Sequence, residues 1–292
     1  MRTTISLVLL LSLLVFSSIS SAEGGYQYEG VMAYTSTKDD DFIDTTVFGV
    51  SITMFMEPVT YGDKPYNESG FLARKSSVTL ALGQLEYSLD FGFGNVDIDT
   101  TAMSARGEYM LSGSSIVLGA GFTMAEGSKT LFGNEIDVSL REAAVSAGYY
   151  LDPLSKIGIT VVNSELEFDA SLGSGVTLDT DSVLVEYLAV TRMDNGNYAG
   201  MHGRIGRITF EDIDIDVIRL GGDYYFTRTT SVGATLGYVS SDQDGVDGNS
   251  IALRFRHFVD RFTSVSFEYE QFNGDGSNGD SDTTSIKILH RY

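Results

Sequence analysis

The chain ends in Thr283-Thr284-Ser285-Ile286-Lys287-Ile288-Leu289-His290-Arg291-Tyr292, and the alternation in this stretch guides the interpretation of the rest. Counting back from the terminal tyrosine, every second residue suits apolar surroundings, whereas the interleaved set is mostly polar. Successive side chains of a β-strand point to opposite faces. The stretch therefore predicts a strand with one apolar and one polar face. A strand of a two-sheet sandwich would show the same pattern.

The same two-residue period recurs along most of the chain. The clearest apolar sets are Phe48–Met56, Met103–Leu111, Ile116–Met124, Ala143–Leu151, Ile157–Val161, Val183–Thr191, Ile218–Phe226, Val232–Tyr238, Ile251–Phe255 and Val265–Tyr269. Between residues 71 and 93 the apolar parity reverses at Gly83-Gln84, which predicts a turn or a β-bulge, because one extra residue inverts every later side chain. Counting this region as one bulged strand gives 14 strands in all, and counting it as two gives 15.

The connections between these strands alternate in length. Short connections are predicted at 112–115, 152–155, 194–197, 227–230 and 260–263, and long ones near 126–135, 168–181, 211–216, 242–249 and 273–282. Membrane β-barrels have brief turns on one side and longer loops on the other, whereas a sandwich has no reason to sort its loops. The alternation therefore favours a barrel.

The start of the chain has the pattern of an export signal. Arg2 precedes an apolar run, Ile5–Phe16, and small residues follow up to Ala22. This predicts a secretory signal peptide over residues 1–22, with cleavage before Glu23. The apolar run is too short for a membrane-spanning helix, which needs about 20 residues. Residues 23–292 are then expected to form one β domain.

Composition narrows the class of protein. There is no cysteine, so disulfides and thiolate metal sites are excluded. The formal net charge of −21 excludes the basic surface that most nucleic-acid-binding proteins carry. Only 3 prolines stand against 32 glycines, 16 tyrosines and 17 phenylalanines, a mixture typical of many paired strands with tight turns.

These features together predict an all-β protein, a transmembrane antiparallel β-barrel of about 14 strands, with 12 to 16 allowed. In a bilayer no backbone polar group can stay unpaired, so only helices or closed barrels span it. Both termini of a bacterial single-chain barrel lie on the periplasmic side, which requires an even strand number and excludes 15. An aromatic residue at the end of the last strand is typical of outer-membrane barrels. We therefore expect the protein in the outer membrane.

Residues 65–78 carry a resemblance to a known family. The segment reads Pro65-Tyr66-Asn67-Glu68-Ser69-Gly70-Phe71-Leu72-Ala73-Arg74-Lys75-Ser76-Ser77-Val78. It is similar to the segment after the second strand in the general porins of Gram-negative bacteria, with matches at Pro65, Glu68, Phe71, Leu72, Arg74, Ser76 and Val78. Gly70 stands where that family has alanine. The resemblance implies a porin-type pore and supplies no catalytic residue.

The first functional hypothesis is a water-filled channel for passive diffusion of small hydrophilic solutes. If the apolar faces meet lipid, the opposite faces line the lumen and hold charges of both signs, which select permeants by sign and size. The candidate lining residues are Arg106, Glu108, Glu142, Glu186, Arg219, Asp223, Arg254, Arg256, Glu268, Glu270, Lys287 and Arg291. Four basic residues of the last third, Arg219, Arg254, Arg256 and Lys287, could form a wall that faces acids elsewhere. Ion pairs that plug the lumen are the alternative interpretation.

An outer-membrane hydrolase is the second hypothesis. Such catalysis usually needs a histidine paired with a nucleophile or an acid. The chain has three histidines: His290 on the predicted lipid side, His257 at a strand end, and His202 with no recognisable Ser or Asp partner. The sequence therefore favours no catalytic residue, and it gives no reason to expect a cofactor or a resident metal ion.

A structural or adhesive barrel that acts through acidic loops is the third hypothesis. The predicted loops hold Asp39–Asp41, Asp179, Asp181, Glu211–Asp216, Asp242–Asp247 and Asp275–Asp282. Solvated charge explains them most simply, while Asp242–Asp247 resembles calcium loops loosely and lacks their spacing. The expected partners are outer-membrane lipid, lipopolysaccharide and small solutes. Whether barrels associate into homo-oligomers stays open.

Aromatic residues at strand ends complete the prediction. Tyr149, Phe226, Tyr238, Tyr269 and Tyr292 are expected in the girdles that settle at the lipid headgroups. Tryptophan is absent, which is unusual for such girdles.

Overall fold

The computed structural model describes residues 25–39, 43–62, 64–90, 95–131, 134–170, 175–211, 213–242, 247–274 and 279–292. The predicted signal peptide and most of the Asp242–Asp247 run lie outside these ranges. The described strands are β1 (Gly25–Asp39), β2 (Ile43–Thr60), β3 (Ser77–Asp90), β4 (Asn95–Met110), β5 (Ile116–Leu131), β6 (Asn134–Asp152), β7 (Ser155–Ala170), β8 (Val176–Arg192), β9 (Tyr198–Phe210), β10 (Ile213–Tyr225), β11 (Thr230–Ser241), β12 (Gly248–Phe258), β13 (Thr263–Gly274) and β14 (Ser281–Arg291).

In the described part of the chain, these fourteen strands close into one antiparallel barrel. Each strand pairs with its sequence neighbours, and β1 pairs with β14 from Glu29↔Arg291 to Asp39↔Ser281. Hydrogen bonds between inward hydroxyls, such as Thr35 to Ser285 at 2.8 Å, reinforce this seam. The predicted fold and strand number are confirmed. Because the barrel is closed, the backbone N–H and C=O groups at both edges of each strand find partners, which lipid could not provide at an open edge.

The two ends of the barrel differ. One end, the turn end, holds Gly25, the first described residue, the C-terminal Tyr292, and the short connections 111–115, 153–154, 193–197, 226–229 and 259–262. The opposite end is the loop end. Most residues predicted as long loops are instead strand: β5 runs to Leu131 before β6 starts at Asn134, and β9 runs to Phe210 before β10 starts at Ile213. The prediction failed there because charged residues continue the strands beyond the apolar band.

The parity reversal near Gly83 has a different cause from the one predicted. β3 pairs with β2 from Ser77 to Leu89, and with β4 from Ser77 to Asp90, without a register shift. No bulge is therefore present in this strand. The apolar residues change sides: Leu80 and Leu82 face outward, whereas Leu85 and Tyr87 face the interior closer to the loop end.

A small apolar core lies at the turn end. Tyr26, Phe55, Val59 and Tyr61 are buried together, with exposed fractions of 8% or less. The pairing of β1 with β2 shifts register there, from Tyr28↔Met54 to Tyr26↔Val59. After β2 the chain does not turn sharply back. Residues 61–76, which we call the plug segment and of which residue 63 lies outside the described ranges, carry a 3-10 turn (Tyr66–Glu68) and the short helix α1 (Ser69–Ala73).

The outer surface of the barrel is apolar around its middle. Leu220, Leu236 and Leu253 are each about 60% exposed on this surface, which is the arrangement expected against lipid. The predicted girdle residues Tyr149, Phe226, Tyr238 and Tyr269 are exposed there too. The prediction for Tyr292 was wrong: it is only 4% exposed, because its backbone pairs with Tyr28 and its ring packs on His290. Among the described residues, no helix is long and apolar enough to cross a membrane.

Candidate permeation pathway

All twelve charged residues predicted to line a lumen lie on the inward face of the barrel wall. Their strands alternate between these residues and the exposed apolar set, and the cross-strand register places them side by side. Arg106 and Glu108 come from β4, Glu142 from β6, Glu186 from β8, Arg219 and Asp223 from β10, Arg254 and Arg256 from β12, Glu268 and Glu270 from β13, and Lys287 and Arg291 from β14. Their role in permeation stays a prediction.

Many of these charges are paired across the wall. Arg219 donates to Glu270 at 2.7 Å, reaching from β10 to β13. Arg254 lies 3.4 Å from Asp223 and 3.5 Å from Glu268. The wall is therefore mixed in sign rather than basic. Of the four basic residues predicted to form a wall, Arg219 and Arg254 have ion pairs, whereas Arg256 and Lys287 have none among the described residues.

Small residues allow these long side chains to lie flat on the wall. Gly237 and Ala252 stand on the two strands between Arg219 and Glu270. A Cβ at Gly233 would collide with the carboxylate of Asp223. The glycines thus leave space in the lumen that bulkier residues would fill.

Inward-facing charges that the sequence analysis missed include Arg204, Glu29 and Lys156. Arg204 donates to Glu186 at 2.7 Å from β9, a strand whose facing was ambiguous because its outward residues alternate with glycines. Glu29 accepts from Arg291 at 2.9 Å on a strand that alternates only weakly. Lys156 lines a narrow cleft with Arg106, Glu108 and Glu186. The parity of Ile157, Ile159 and Val161 could have located Lys156, whereas Arg204 and Glu29 needed the register of a neighbouring strand.

The plug segment crosses the turn end of the barrel. On one side, Phe71 stacks on Tyr150 of β6 at 5.7 Å between ring centroids, and the Tyr150 hydroxyl donates to the Phe71 carbonyl at 3.0 Å. Arg74 lies over the same ring and also donates to the carbonyl of Asp152. These contacts fix the helix α1 against β6.

On the other side the plug segment is held by β1, β10 and β14. The Tyr225 hydroxyl donates to the carboxylate of Glu68, and Ser69 pairs with the Tyr26 hydroxyl at 3.0 Å. Arg291 is buried and donates to the Tyr66 carbonyl at 2.7 Å. Arg291 therefore anchors the plug segment instead of lining open lumen. A segment tied to opposite walls narrows the mouth that it crosses.

Two titratable groups at the turn end, outside the spanning strands, have pKa values shifted by their surroundings. Burial raises the pKa of Tyr61, in the plug segment, to about 12. Burial also acts to raise the pKa of Asp260, in the turn before β13. Hydrogen bonds that its carboxylate accepts from the backbone of Phe262 at 2.6 Å and Thr263 at 2.7 Å outweigh this and hold the pKa below its ordinary value. Tyr61 is thus buried at the turn end, whereas Asp260 is exposed and acts through its backbone hydrogen bonds.

The inner surface changes character toward the loop end. The register turns apolar side chains of β6 to β11 inward there, and they include Leu140, Leu166, Leu178, Leu184, Ile208, Ile215, Val217 and Val239. Each is partly exposed. Small and apolar side chains such as Val31, Ala33, Val47, Leu85 and Ala102 line the β1–β5 wall, around a cavity of about 280 Å³. Toward the loop end the inner wall is therefore mainly apolar, except along the β1–β14 seam, where hydroxyls such as those of Thr37 and Thr283 face inward.

The acids of the loop end occupy the outside of the wall. Asp179, Asp181, Asp214, Asp216 and Asp282 were predicted in loops, but they lie on strands. They face the same way as the lipid-facing set, and Arg207 pairs with Asp216 at 2.8 Å. Water explains the reversal: strands that rise above the lipid expose polar side chains and shield apolar ones. The charge of −21 thus comes partly from this outer surface.

A cavity of about 310 Å³ lies inside the barrel between the plug segment and the wall of β12 to β14. It is lined by Glu29, Asn67, Glu68, Leu188, His202, Asp223, Arg254, Arg256, Ser264, Ser266, Lys287 and Leu289. It has room for about ten water molecules at ~30 Å³ each. The cavity therefore joins residues from the plug segment and from both halves of the chain.

His202 does have partners, contrary to the sequence prediction. Its Nε2 atom lies 3.0 Å from the Thr235 hydroxyl, and its Nδ1 atom lies 3.9 Å from Asp223. The second distance is too long for a hydrogen bond, and Asp223 is shared with Arg254. This geometry fits a side chain seated on the wall better than an activated nucleophile. Within the described ranges, no three His, Cys, Asp or Glu side chains group to hold a metal ion.

Comparison with known proteins agrees with this architecture. The family model described as "Putative general bacterial porin" matches residues 2–288, and the chain belongs to this family. No curated protein matches the chain.

Solved outer-membrane barrels share the fold at low identity. Omp33 of Acinetobacter baumannii is 17% identical with a TM-score of 0.60, over 93% of this chain and 100% of Omp33. CymD, a monoaromatic hydrocarbon channel, is 10% identical with a TM-score of 0.55, over 93% and 89%. A FadL homologue of Pseudomonas aeruginosa is 8% identical with a TM-score of 0.53, over 91% and 89%. The protein is an outer-membrane β-barrel with a channel role. Bacterial barrels have their short turns on the periplasmic side, so we expect the turn end there.

Proposed function

We propose that the protein lets small hydrophilic solutes diffuse passively across the outer membrane. The main support for this proposal is the inner wall near the turn end, where charged side chains of both signs surround a cavity of about 310 Å³. An eight-stranded barrel is filled by its own side chains, whereas a wider one leaves space. Water and polar solutes would occupy that space at little cost, because the wall already offers hydrogen-bonding partners.

The plug segment would set the size limit. It crosses the periplasmic mouth and is tied to β6, β10 and β14. Solutes would therefore have to pass beside it or wait for it to move. We infer a narrow channel with low permeability for anything larger than a simple sugar or an amino acid. We infer no catalysis, because the geometry at His202 lacks an activated nucleophile.

Swelling of liposomes that contain the purified protein tests this function. Arabinose and glycine should enter quickly, and raffinose should not. Liposomes with heat-denatured protein give the background rate. Equal rates with folded and denatured protein would refute the proposal.

Two partners belong to the same proposal. We propose that the outward acids of the loop end face lipopolysaccharide, with divalent cations bridging them to its phosphates. Assembly into homo-oligomers stays a prediction. Thermal melting with and without Mg²⁺ and EDTA would test the first, and light scattering of the detergent complex the second.

A further inference from the structure

The cavity beside the plug segment has two basic side chains without an acid. Arg256 on β12, Ser266 on β13 and Lys287 on β14 stand in register on three adjacent strands. Adjacent strands lie about 4.8 Å apart, so the two bases stand ~10 Å apart with a short serine between them. Arg256 is partly exposed and Lys287 exposed, and neither takes part in an ion pair of the described residues. Together they form an anion cradle.

The opposite side of the cavity has an acid without a base. Glu68 of the plug segment accepts hydrogen bonds from the Tyr225 hydroxyl and from Asn67 at 3.3 Å, and it has no basic partner among the described residues. The other acids of the cavity are neutralised locally, Asp223 by Arg254 and Glu29 by Arg291. The free charges are therefore a negative one on the plug segment and positive ones on the wall.

Apolar side chains also line this cavity. Leu188 of β8 and Leu289 of β14 line the same cavity. Between this cavity and the loop end, the interior is lined by inward-facing leucine, isoleucine and valine side chains from β6 to β11. A solute that enters from outside would cross this apolar zone before it reaches the charges. A small molecule with an apolar group would lose the least on that route.

We propose that this cavity binds neutral α-amino acids with apolar side chains, an inference that rests on the channel function above and names its substrate class. The carboxylate lies on Arg256, Ser266 and Lys287, the ammonium group faces Glu68, and the side chain contacts Leu188 and Leu289. Charge-assisted hydrogen bonds to both ends would hold the solute in one orientation. A cavity with separated charges of both signs discriminates against molecules that carry only one of them.

Three probes that share a phenylethyl group test the assignment. L-phenylalanine carries both charges, 3-phenylpropanoate lacks the ammonium group, and 2-phenylethylamine lacks the carboxylate. Calorimetry on the detergent-solubilised protein should show saturable binding of phenylalanine, at least tenfold tighter than of either analogue. Equal binding of all three, or no saturable binding of phenylalanine, overturns the proposal. Tighter binding of 3-phenylpropanoate would also overturn it, in favour of an anion site.

Variants locate the site. Arg256→Gln and Lys287→Gln should each weaken phenylalanine binding about 10- to 100-fold, because each removes a hydrogen bond from a charged group. Glu68→Gln should remove the difference between phenylalanine and 3-phenylpropanoate. Arg141→Gln removes the same charge from the outer surface, where Arg141 pairs with Glu165, and should change nothing. The gel shift between unheated and boiled samples verifies that each variant is folded.

Conductance separates failure of this site from failure of the channel. Phenylalanine that binds to a protein without channel activity would leave the site and refute the channel. A conducting protein that binds no phenylalanine would leave the channel and refute the site.

Discussion

The anchor between Tyr225 and Glu68 gives the sharpest prediction about the plug segment. Tyr225→Phe removes one hydroxyl and leaves the buried ring in place. That hydroxyl donates to a carboxylate that otherwise receives only the Asn67 amide. The plug segment should then leave its seat more often, because one tie to the β10 wall is lost.

The magnitude follows from the strength of the lost bond. A hydrogen bond to a charged group contributes about 1.5–3 kcal/mol. A difference of 1.4 kcal/mol is about tenfold in an equilibrium constant, so the unseated population should rise by about 10- to 100-fold. The remaining ties, among them Arg291 to Tyr66 and Tyr150 to Phe71, should keep the plug segment mostly in place.

Single-channel recordings measure this population as time spent at the higher conductance level. Tyr224→Phe is the matched control, because its hydroxyl faces the other side and accepts hydrogen bonds from Asn195 and Asn197. If Tyr225→Phe spends no more time at high conductance than the wild type and Tyr224→Phe, the plug segment does not govern the mouth.

Three further predictions concern the wall and a turn. Leu253→Arg, on the lipid face, should lower the free energy of unfolding in vesicles by about 2–4 kcal/mol, whereas Ser250→Arg, on the inner face, should cost clearly less; equal costs would contradict the assigned facing. Arg219→Met should free Glu270 and raise the permeability of K⁺ relative to Cl⁻, measured as a shift in reversal potential under a KCl gradient. Asp260→Asn should lower stability by roughly 1 kcal/mol at neutral pH, because the neutral amide oxygen accepts the two backbone hydrogen bonds more weakly than the carboxylate does. The pKa of Asp260 in the folded protein lies below its ordinary value of 3.8, so the carboxylate stabilises the fold fully above pH 3.8 and loses this effect as the pH falls through the folded pKa. If urea titrations show the same difference in unfolding free energy between wild type and variant at low pH, the prediction is contradicted.

The sequence predicts the barrel well because alternation is a local property. The terminal strand and the apolar sets from Met103 onward place their side chains on two faces, and the structure keeps those faces. Alternation does not say which face is inside, because that depends on the medium. Leu85 and Ile208 face inward at the loop end, where water replaces lipid, and the sequence has no marker for that boundary.

The plug segment could not be predicted in the same way. Pro65 and its neighbours indicate an irregular connection, but the contacts that fold it into the mouth come from Tyr150, Tyr225 and Arg291, far along the chain. The cavity has the same origin, since Glu68 meets the wall of β12 to β14 only after closure. The twelve candidate charges of the barrel wall were found by parity, whereas their pairing needed the register.

The conductance of purified, folded protein in planar bilayers tests the central claim most directly. The wild type should give small, discrete current steps, because the interior near the turn end is polar and the plug segment narrows it without closing it. Protein that shows the gel shift of a folded barrel, yet gives no steps above background in the wild type or in Tyr225→Phe, would contradict it.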